Sequence, residues 1–433
     1  MIRRTVRDVS SLARCALLFV IVFLSTGFLE TISAGEPGGT IRRWTHSDES
    51  LEIVAFEKLL KLDAKECMLS LADGDATVQL DDVWRISFDS PERSNNSQIE
   101  NQSVSIQFSN GDIWMAHNIR LDGESLTAVM GDNNSAIKTP LEHVRTISWG
   151  RPTSLGTEIT VSELAATESI SPNSDVLLLK NGDRLLGEVQ RISADDVLFS
   201  VDGTELTIPR KQLRELQMNP ALVSSPSYAT PCAIIQIQDG TRLTVSSVVV
   251  EGQQALASLN AETTVKYPLT QLRSIDFFSK KTRPLLWEPP TAATHENYFG
   301  NSEPLRSGAS VEGNPLLVEG QVYPMGLGVR SQSGVTHEVP PHAKTLWVLV
   351  GLDDEVNGQG AVDIHISGTS ADGAEKVLLQ TTFLNSTTSV RHLGPIDVRG
   401  LTSITFHTGF GKRADLFDSV NWCIPTLRCG PSE

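Results

Sequence analysis

The sequence lacks the short motifs that most often indicate catalysis or metal binding. It has no C-x-x-C pair, which argues against a zinc site, and no H-E-x-x-H, G-x-S-x-G or phosphate-binding loop. The acidic triplet at residues 353–355 does not suggest a glycosidase, because neighbouring residues of a strand point apart whereas hydrolysis needs two facing carboxylates. We predict a protein that is not an enzyme and has no metal or cofactor; the alternative, a triad assembled from distant positions, leaves no local motif.

Long apolar runs are also missing, apart from one at the N-terminus. Residues 15–29 form an apolar run that follows four arginines and precedes the small residues Ser33 and Ala34. This order predicts a secretory signal peptide at residues 1–34, cut after Ala34. The alternative is an uncleaved anchor, but the run is shorter than the roughly 20 residues needed to cross a bilayer. We therefore expect a secreted, periplasmic or cell-surface protein with no membrane contact after cleavage.

The chain has no stripe of basic residues. Its formal net charge is −16, and loss of the signal would move that charge to −18, because four arginines and two acidic residues leave with it. So acidic a protein is a poor partner for nucleic acid or anionic lipid. The simplest role of the charge is solubility.

Cysteine is scarce, with five in the whole chain and four after the predicted signal. Four thiols allow three pairings. Cys423 and Cys429 lie in the same terminal segment, so we predict that these two form a disulfide in an oxidising compartment.

Internal repeats are the strongest pattern that is present. Three segments, residues 101–150, 174–219 and 230–280, each have a glycine turn near their start and, near their end, a proline followed four residues later by an aliphatic residue and then an arginine. A degenerate copy at residues 35–92 has Gln79 in place of that proline. The closing residues of the three regular segments are Pro140, Val144 and Arg145; Pro209, Leu213 and Arg214; and Pro268, Leu272 and Arg273.

Each segment alternates apolar and polar residues between turn signals, which predicts small antiparallel β-barrel-like units. The Asn-Gly-Asp start of a unit is better explained as a hairpin turn than as a calcium loop, because one carboxylate offers too few ligands. The repeated arginines are interpreted as residues that pair with acids at the rim, with a shared anion site as the alternative. We expect the units to be spacers, or docking modules for another extracytoplasmic protein.

A proline-rich stretch at residues 281–296 is predicted as a linker, and the pattern changes after it. From residue 297 to 428 the chain resembles the NPCBM carbohydrate-binding module family. Three motifs carry the resemblance, in the order "NPLLVEGQVYPMGLGVRSQSG", "LWVLVGLDDEVNGQG" and "DSVNWC". Their matching residues are Pro315, Leu316, Gly320, Tyr323, Gly326, Gly328 and Ser331; Gly351, Asp353, Asp354, Gly358 and Gly360; and Asp418 and Trp422.

The resemblance implies a galactose-binding-like β-sandwich, or jelly roll, that recognises a glycan. The residues agree with that fold, since strand-length runs such as "TLWVLVG" and "LTSITFHTG" alternate with glycine, proline and Asp-Gly turns. Gly326 and Gly328 are expected where another backbone approaches too closely for a Cβ atom. The chain is therefore predicted to be all-β throughout.

Sugar hydroxyls pair with polar side chains, and the C–H face of a sugar ring stacks on an aromatic ring. Residues of those types within the resemblance are the predicted carbohydrate-binding site. For Asp353 and Asp354 the alternative role is to accept hydrogen bonds from turn amides, and for Trp422 it is a place in the core. The predicted site residues are Arg330, Asp353, Asp354, Asp418, Asn421 and Trp422.

The chain departs from the family pattern at three of its motif positions. Arg330 stands where the family usually has histidine, and Ser419 and Asn421 stand where it usually has histidine and aspartate. If those positions contact ligand, the ligand is altered, anionic or lost. The sequence thus predicts a non-catalytic protein that binds a glycan or polysaccharide, and the alternative is a structural or protein-interaction protein that keeps the module fold without sugar binding.

Overall fold

The structure is a computed structural model that describes ten stretches of the chain. The predicted signal peptide lies outside them. No membrane-spanning helix occurs in these stretches, where the helical elements are 3-10 turns of three residues each. The prediction of an all-β protein is confirmed. The described residues are 38–45, 50–89, 103–131, 135–150, 154–159, 173–224, 230–296, 305–385, 389–411 and 416–430.

The repeats form four copies with the same order of strands, except that one long strand of copy 3, β15, takes the place of the second and third strands of the others. Copy 1 contains β1 (Gly39–Trp44), β2 (Leu51–Phe56), β3 (Lys58–Leu62), β4 (Glu66–Leu71), β5 (Gly74–Gln79) and β6 (Val83–Phe88). Copy 2 contains β7 (Val104–Phe108), β8 (Ile113–Ala116), β9 (Asn118–Asp122), β10 (Ser125–Met130), β11 (Ser135–Pro140) and β12 (Val144–Trp149). After β13 (Thr157–Ile159), copy 3 contains β14 (Asp175–Leu179), β15 (Arg184–Ile192), β16 (Asp196–Val201), β17 (Thr204–Pro209) and β18 (Leu213–Gln217). Copy 4 contains β19 (Cys232–Ile237), β20 (Arg242–Val245), β21 (Ser247–Glu251), β22 (Gln254–Ser258), β23 (Thr264–Pro268) and β24 (Leu272–Phe278).

A 3-10 turn precedes the last strand of every copy, and the repeated proline sets it up. Pro140, Pro209 and Pro268 each stand just before the turn with φ between −59° and −58°, the angle that the proline ring imposes. In copy 1, Gln79 takes nearly the same conformation, with φ −67° and ψ 134°. The degenerate copy therefore keeps the backbone path without the proline. The turns are Leu80–Asp82, Leu141–His143, Arg210–Gln212 and Leu269–Gln271.

The copies are not separate barrels, because each shares its sheets with a neighbour. The last strand of copy 1, β6, pairs with that of copy 4, β24, with Ile86 opposite Ile275. In the same way β12 pairs with β18 and joins copies 2 and 3, with Ile147 opposite Leu216. Middle strands of the copies also pair, β3 of copy 1 with β21 of copy 4 and β9 of copy 2 with β15 of copy 3. The barrel-like units of the prediction are therefore open, bent sheets, and one continuous hydrophobic core runs through all four copies.

The C-terminal part is a sandwich of two antiparallel sheets, as the resemblance implied. One sheet has the order β13-β27-β30-β37-β32-β35, with β25 also paired to β37, and the other has the order β26-β31-β36-β33-β34. A two-stranded hairpin, β28-β29, is separate from both sheets. The strands are β25 (Thr282–Pro284), β26 (Ala292–His295), β27 (Leu305–Ser307), β28 (Leu316–Val318), β29 (Gln321–Tyr323), β30 (Gly326–Val329), β31 (Ser333–Glu338), β32 (Ala343–Leu352), β33 (Val362–Ser370), β34 (Glu375–Leu384), β35 (Val390–Asp397), β36 (Leu401–Phe410) and β37 (Val420–Cys429).

Two segments outside the predicted sandwich contribute strands to it. The predicted linker 281–296 holds β25, which pairs with β37, and β26, which pairs with β31. The strand β13, from the polar stretch between copies 2 and 3, pairs with β27. The linker prediction is therefore corrected, since these residues are part of the sandwich.

The sandwich packs directly against copy 1. Trp44 stacks on Trp84, with ring centroids 5.5 Å apart, and meets the edge of Trp347 from the sandwich at 5.4 Å. Beside them the guanidinium of Arg85 lies 4.9 Å from the ring centroid of Tyr323. Since Trp84 and Arg85 are each about 2% exposed, this contact is as buried as a domain core.

Candidate functional site

Three strands of the sandwich end at one edge, and their loops form the candidate site. Val420 at the start of β37 lies opposite both Val329 of β30 and Leu352 of β32. The residues beyond those strand ends therefore come together, as Asp353 N donating to Ser419 O at 3.0 Å shows. We call this region the loop end and define it as residues 312–314, 330–332, 353–359 and 416–419.

Asp353 and Asn421 meet beneath the loop end, although they are 68 positions apart in the chain. Asn421 Nδ2 donates to Asp353 Oδ2 at 2.7 Å, and Asp353 Oδ1 accepts from Glu355 N at 2.9 Å. Both side chains are essentially unexposed, and burial raises the pKa of Asp353 to about 6. The other acceptor atom, Asn421 Oδ1, is buried without a hydrogen-bond partner among the described residues. This pair supports the loop from below.

Asp354 binds the turn of the β28-β29 hairpin. Its two carboxylate oxygens accept hydrogen bonds from Glu319 N at 2.8 Å and from Gly320 N at 2.6 Å. The geometry of Asp353 and Asp354 thus matches the turn-amide alternative for both residues. Their role as ligand contacts stays a prediction.

Two polar pairs lie on the outer surface of the loop end. Arg330 forms an ion pair with Glu312, and the Arg330 side chain is about one-fifth exposed. Asn314 Nδ2 donates to both carboxylate oxygens of Glu355, at 2.8 and 3.0 Å. Together the pairs offer donors and acceptors to a ligand with hydroxyl groups. Sequence reasoning found Arg330 and missed the other three.

Trp422 and Asp418 are both fully buried. The Trp422 ring packs against Phe406 between the two sheets, with centroids 4.9 Å apart, and its Nε1 donates to Thr408 Oγ1 at 3.1 Å. The geometry matches the core alternative for Trp422, and its role in binding stays a prediction. Asp418 precedes β37 in the turn that carries the exposed Phe417.

Phe417 is a surface aromatic that sequence reasoning did not identify. It is 48% exposed, and its neighbour Leu416 is 60% exposed. Its backbone has φ 62°, a left-handed conformation, and its carbonyl would lie 2.3 Å from a Cβ atom at Gly360. The sequence signal was the pair of large apolar residues between two aspartates in "ADLFDS". A turn does not require large apolar side chains, so their presence there suggests a contact surface.

The three departures from the family pattern lie close together. Val329 and Val420 are opposite each other, so Arg330 and Ser419 are the next residues at the ends of β30 and β37. Asn421 follows on β37, flanked by Gly328 and Gly351 of the neighbouring strands. A Cβ atom at Gly328 would stand 2.4 Å from Ala309 O, so the close approach predicted there is present. If these positions contact ligand, the residues that would alter its identity therefore lie together at the ends of β30 and β37.

The predicted disulfide between Cys423 and Cys429 is wrong, because both residues lie on the single strand β37 and are free. Six residues of extended chain separate their Cα atoms by roughly 15–20 Å, whereas a disulfide needs them within about 7 Å. Burial raises the pKa of both thiols. Within the described stretches, no group of three or more His, Cys, Asp or Glu residues is placed to hold a metal ion.

The loop end belongs to the two-sheet β-sandwich of the C-terminal part. Residues 289–428 match the NPCBM/NEW2 domain, which confirms the recognition made from the sequence. The match begins before β26, so it includes that strand of the predicted linker but not β25. It covers less than half of the chain, and the four copies lie outside it. No curated protein matches the sequence.

Several solved structures are similar to the chain. A CBM51 module of GH95 from Clostridium perfringens, solved in complex with methyl-galactose, is 15% identical, with 34% of this chain and 99% of that one covered and a TM-score of 0.29. The CBM51-2 and INT domains of ZmpB from the same organism are 20% identical, with 41% and 38% covered and a TM-score of 0.28. The tandem CBM51 modules of Sp3GH98 from Streptococcus pneumoniae are 11% identical, with 90% and 88% covered and a TM-score of 0.28. At these TM-scores the likeness carries no argument about function.

Proposed function

We propose that the protein is an exported, non-catalytic glycan-binding protein whose sandwich binds saccharide at the loop end. The match of residues 289–428 to the NPCBM/NEW2 domain is the observation that carries this proposal. Export follows from the signal predicted at residues 1–34. Sequencing the N-terminus of the exported protein tests that step, because cleavage after Ala34 would leave Gly35 as the first residue.

The chemistry of the loop end supports saccharide binding. The half-exposed ring of Phe417 provides a face for the C–H side of a sugar. The pairs Arg330–Glu312 and Asn314–Glu355 hold donors and acceptors in place before a ligand arrives, which lowers the entropic cost of binding. Underneath, Asp353 and Asn421 fix the loop that carries them. In this proposal the four copies are a rigid support for the module.

A second function is favoured by one observation. Two departures from the family pattern, Arg330 and Ser419, lie at the loop end, and the third, Asn421, lies just beneath it. Arg330, which replaces the usual histidine, is already bound to Glu312. A module that had lost its ligand would look like this. The second function is therefore a structural or protein-interaction role, with the sandwich fixed against copy 1 through Trp84 and Trp347.

A glycan array with the full chain separates the two functions. The full chain is needed because β13 and β25 come from outside the matched region. For a glycan that binds, Phe417→Ala should weaken affinity about threefold to tenfold, since fully burying a phenylalanine side chain contributes roughly 1.5–3 kcal/mol and only about half of this one is exposed. Leu222→Ala is the matched control, because Leu222 is 71% exposed on copy 3 and should leave affinity unchanged.

The outcomes of that experiment are distinct. No binding to any glycan at millimolar concentration would favour the structural role. Binding that survives both Phe417→Ala and Arg330→Ala would place the glycan elsewhere on the protein. Hydrolysis of chromogenic glycosides by the pure protein would overturn the non-catalytic assignment.

A further inference from the structure

A cleft of about 720 Å³ lies where copy 2, copy 4 and the sandwich meet. Copy 2 lines it with residues 107–113, and copy 4 with Arg242 and the turn at residues 279–280. The sandwich contributes Arg283, residues 286–288 and Met325 among others. The volume of the cleft falls within the roughly 300–1,000 Å³ typical of ligand pockets. The loop-end residues do not line it.

Fixed hydrogen bonds hold the walls of this cleft together. The guanidinium of Arg242 donates to Pro324 O of the sandwich and to Gly111 O of copy 2. On the same side, Asp112 accepts from Thr244 N at 3.0 Å and from Thr244 Oγ1 at 2.8 Å. The walls therefore come from three parts of the chain but are tied to one another, which makes the cleft preformed.

The lining of the cleft is positively charged although the protein is strongly acidic. Four fixed cations line it against two carboxyl groups, whereas the whole chain carries a net charge of −16. One of those carboxyl groups, Glu288, is bound by Arg283 at 2.7 Å. Glu158 lies near Arg145 and is itself bound by Arg306 at 2.8 Å. The local field thus favours an anion. The cations are Arg145, Arg242, Lys280 and Arg283, and the carboxyl groups are Asp112 and Glu288.

An aromatic ring lies among these charges. Trp287 is partly exposed in the cleft, and the Arg283 guanidinium is 6.0 Å from its ring centroid. Phe278 supports the ring from the edge, with centroids 5.8 Å apart. A supported indole beside arginine suits a ligand that has both an apolar C–H face and a negative group. Inorganic anions have no such face.

We propose that this cleft binds an acidic oligosaccharide, with the sugar ring against Trp287 and its carboxylate or sulfate groups among Arg145, Lys280 and Arg283. The four ligand residues, Arg145, Lys280, Arg283 and Trp287, lie outside residues 289–428, which the family match covers. The proposal therefore goes beyond the glycan site proposed at the loop end. The repeated arginine of copy 2, Arg145, is then a ligand residue in this one copy.

Titration calorimetry of the full chain tests the proposal, with a trimer of galacturonate as probe and a neutral galactose trimer and inorganic sulfate as comparisons. We expect the galacturonate trimer to bind at least about tenfold more tightly than either comparison, which corresponds to roughly 1.4 kcal/mol. Raising the salt concentration should weaken its binding. A sulfated trimer then shows which anionic group is preferred.

Two neighbouring lysines provide a matched pair of variants. Lys280 and Lys281 are both exposed, but only Lys280 lines the cleft. Lys280→Glu should weaken binding of the acidic trimer at least about fivefold, and Lys281→Glu should change it less than about twofold, since charge effects fall with distance and are screened. Trp287→Ala should also weaken binding, and if that variant fails to fold, the lysine pair still decides. Phe417→Ala should have no effect.

Four results would overturn the proposal. They are no binding of either acidic trimer at millimolar concentration, equal affinity for sulfate alone, equal effects of the two lysine variants, or loss of binding in Phe417→Ala. The last would assign the ligand to the loop end, so failure of this site and failure of the proposed function remain distinguishable.

Discussion

Replacing Arg85 by alanine is expected to lower the free energy of unfolding by about 4 kcal/mol, because removing one partner of a buried ion pair costs roughly 3–5 kcal/mol. Arg85 Nη1 lies 2.8 Å from Asp276 Oδ1, and the two side chains are 2% and 0% exposed. Nη2 also donates to Val322 O at 3.1 Å, a bond that contributes about 1 kcal/mol. The residue thus connects copy 1, copy 4 and the sandwich. Urea unfolding followed by tryptophan fluorescence measures the loss.

The loss should depend on pH. Burial raises the pKa of Asp276 and Arg85 opposes that rise, so without Arg85 the carboxyl group takes up a proton more readily. A carboxyl pKa that is higher in the folded than in the unfolded state makes stability fall as pH rises above about 4. The effect of Arg85→Ala should therefore be larger at pH 8 than at pH 5. Adding Asp276→Asn to Arg85→Ala should recover part of the loss at pH 8.

The matched control is an arginine in an exposed pair. Arg399 and Asp397 are joined at 2.9 Å, but their side chains are 70% and 51% exposed. Arg399→Ala should cost less than about 1 kcal/mol, as is typical of surface pairs. Equal losses for Arg85→Ala and Arg399→Ala would refute the reasoning, because burial would then make no difference to the pair.

Three further predictions concern stability. Because burial raises the pKa of Asp353 to about 6, the free energy of unfolding should fall by up to about 3 kcal/mol as pH rises from 4 to 6. Asp353→Asn should remove this part of the pH dependence, measured by urea unfolding at several pH values. An unchanged pH dependence would contradict the burial of Asp353. Since Cys423 and Cys429 are free, reductant should not shift the thermal midpoint, and both should react with a thiol reagent in denaturant; one disulfide per chain by mass would disprove this. Trp84→Arg, which buries a charge against Trp44, should lower the free energy of unfolding by at least about 3 kcal/mol. A loss under about 1 kcal/mol would mean that water reaches this position.

Local signals in the sequence were enough to find the copies but not their partners. A proline with φ near −60° before a 3-10 turn is a property of a few neighbouring residues, and it recurs at Pro140, Pro209 and Pro268. Pairing of copy 1 with copy 4 depends on β6 meeting β24, which are nearly 190 residues apart. Nothing in either strand alone specifies the other. For the same reason nothing local to the three-residue strand β13 predicts that it pairs with β27.

The loop end shows a similar division. The acidic pair Asp353-Asp354 was visible, but whether each carboxylate faces a turn amide or the solvent depends on residues far away in the chain. Asn421 comes 68 positions later, and the amides of Glu319 and Gly320 come from another hairpin. Phe417 was overlooked because a single exposed ring has no periodic pattern around it. Sequence patterns located the candidate site within the fold, but on its exposed surface they assigned only Arg330.

Differences among the copies follow from what each copy contacts. The position after the aliphatic residue of the last strand holds arginine in three copies, Arg145, Arg214 and Arg273, but Trp84 in copy 1. That strand of copy 1 faces the sandwich, where Trp84 and Trp44 form one apolar cluster with Trp347. Arginine at position 84 would add a buried charge beside Arg85, whose carboxylate partner Asp276 is already bound. Copy 1 is therefore specialised for contact with the sandwich, and Trp84 replaces the repeated arginine at the point where the sandwich packs against it.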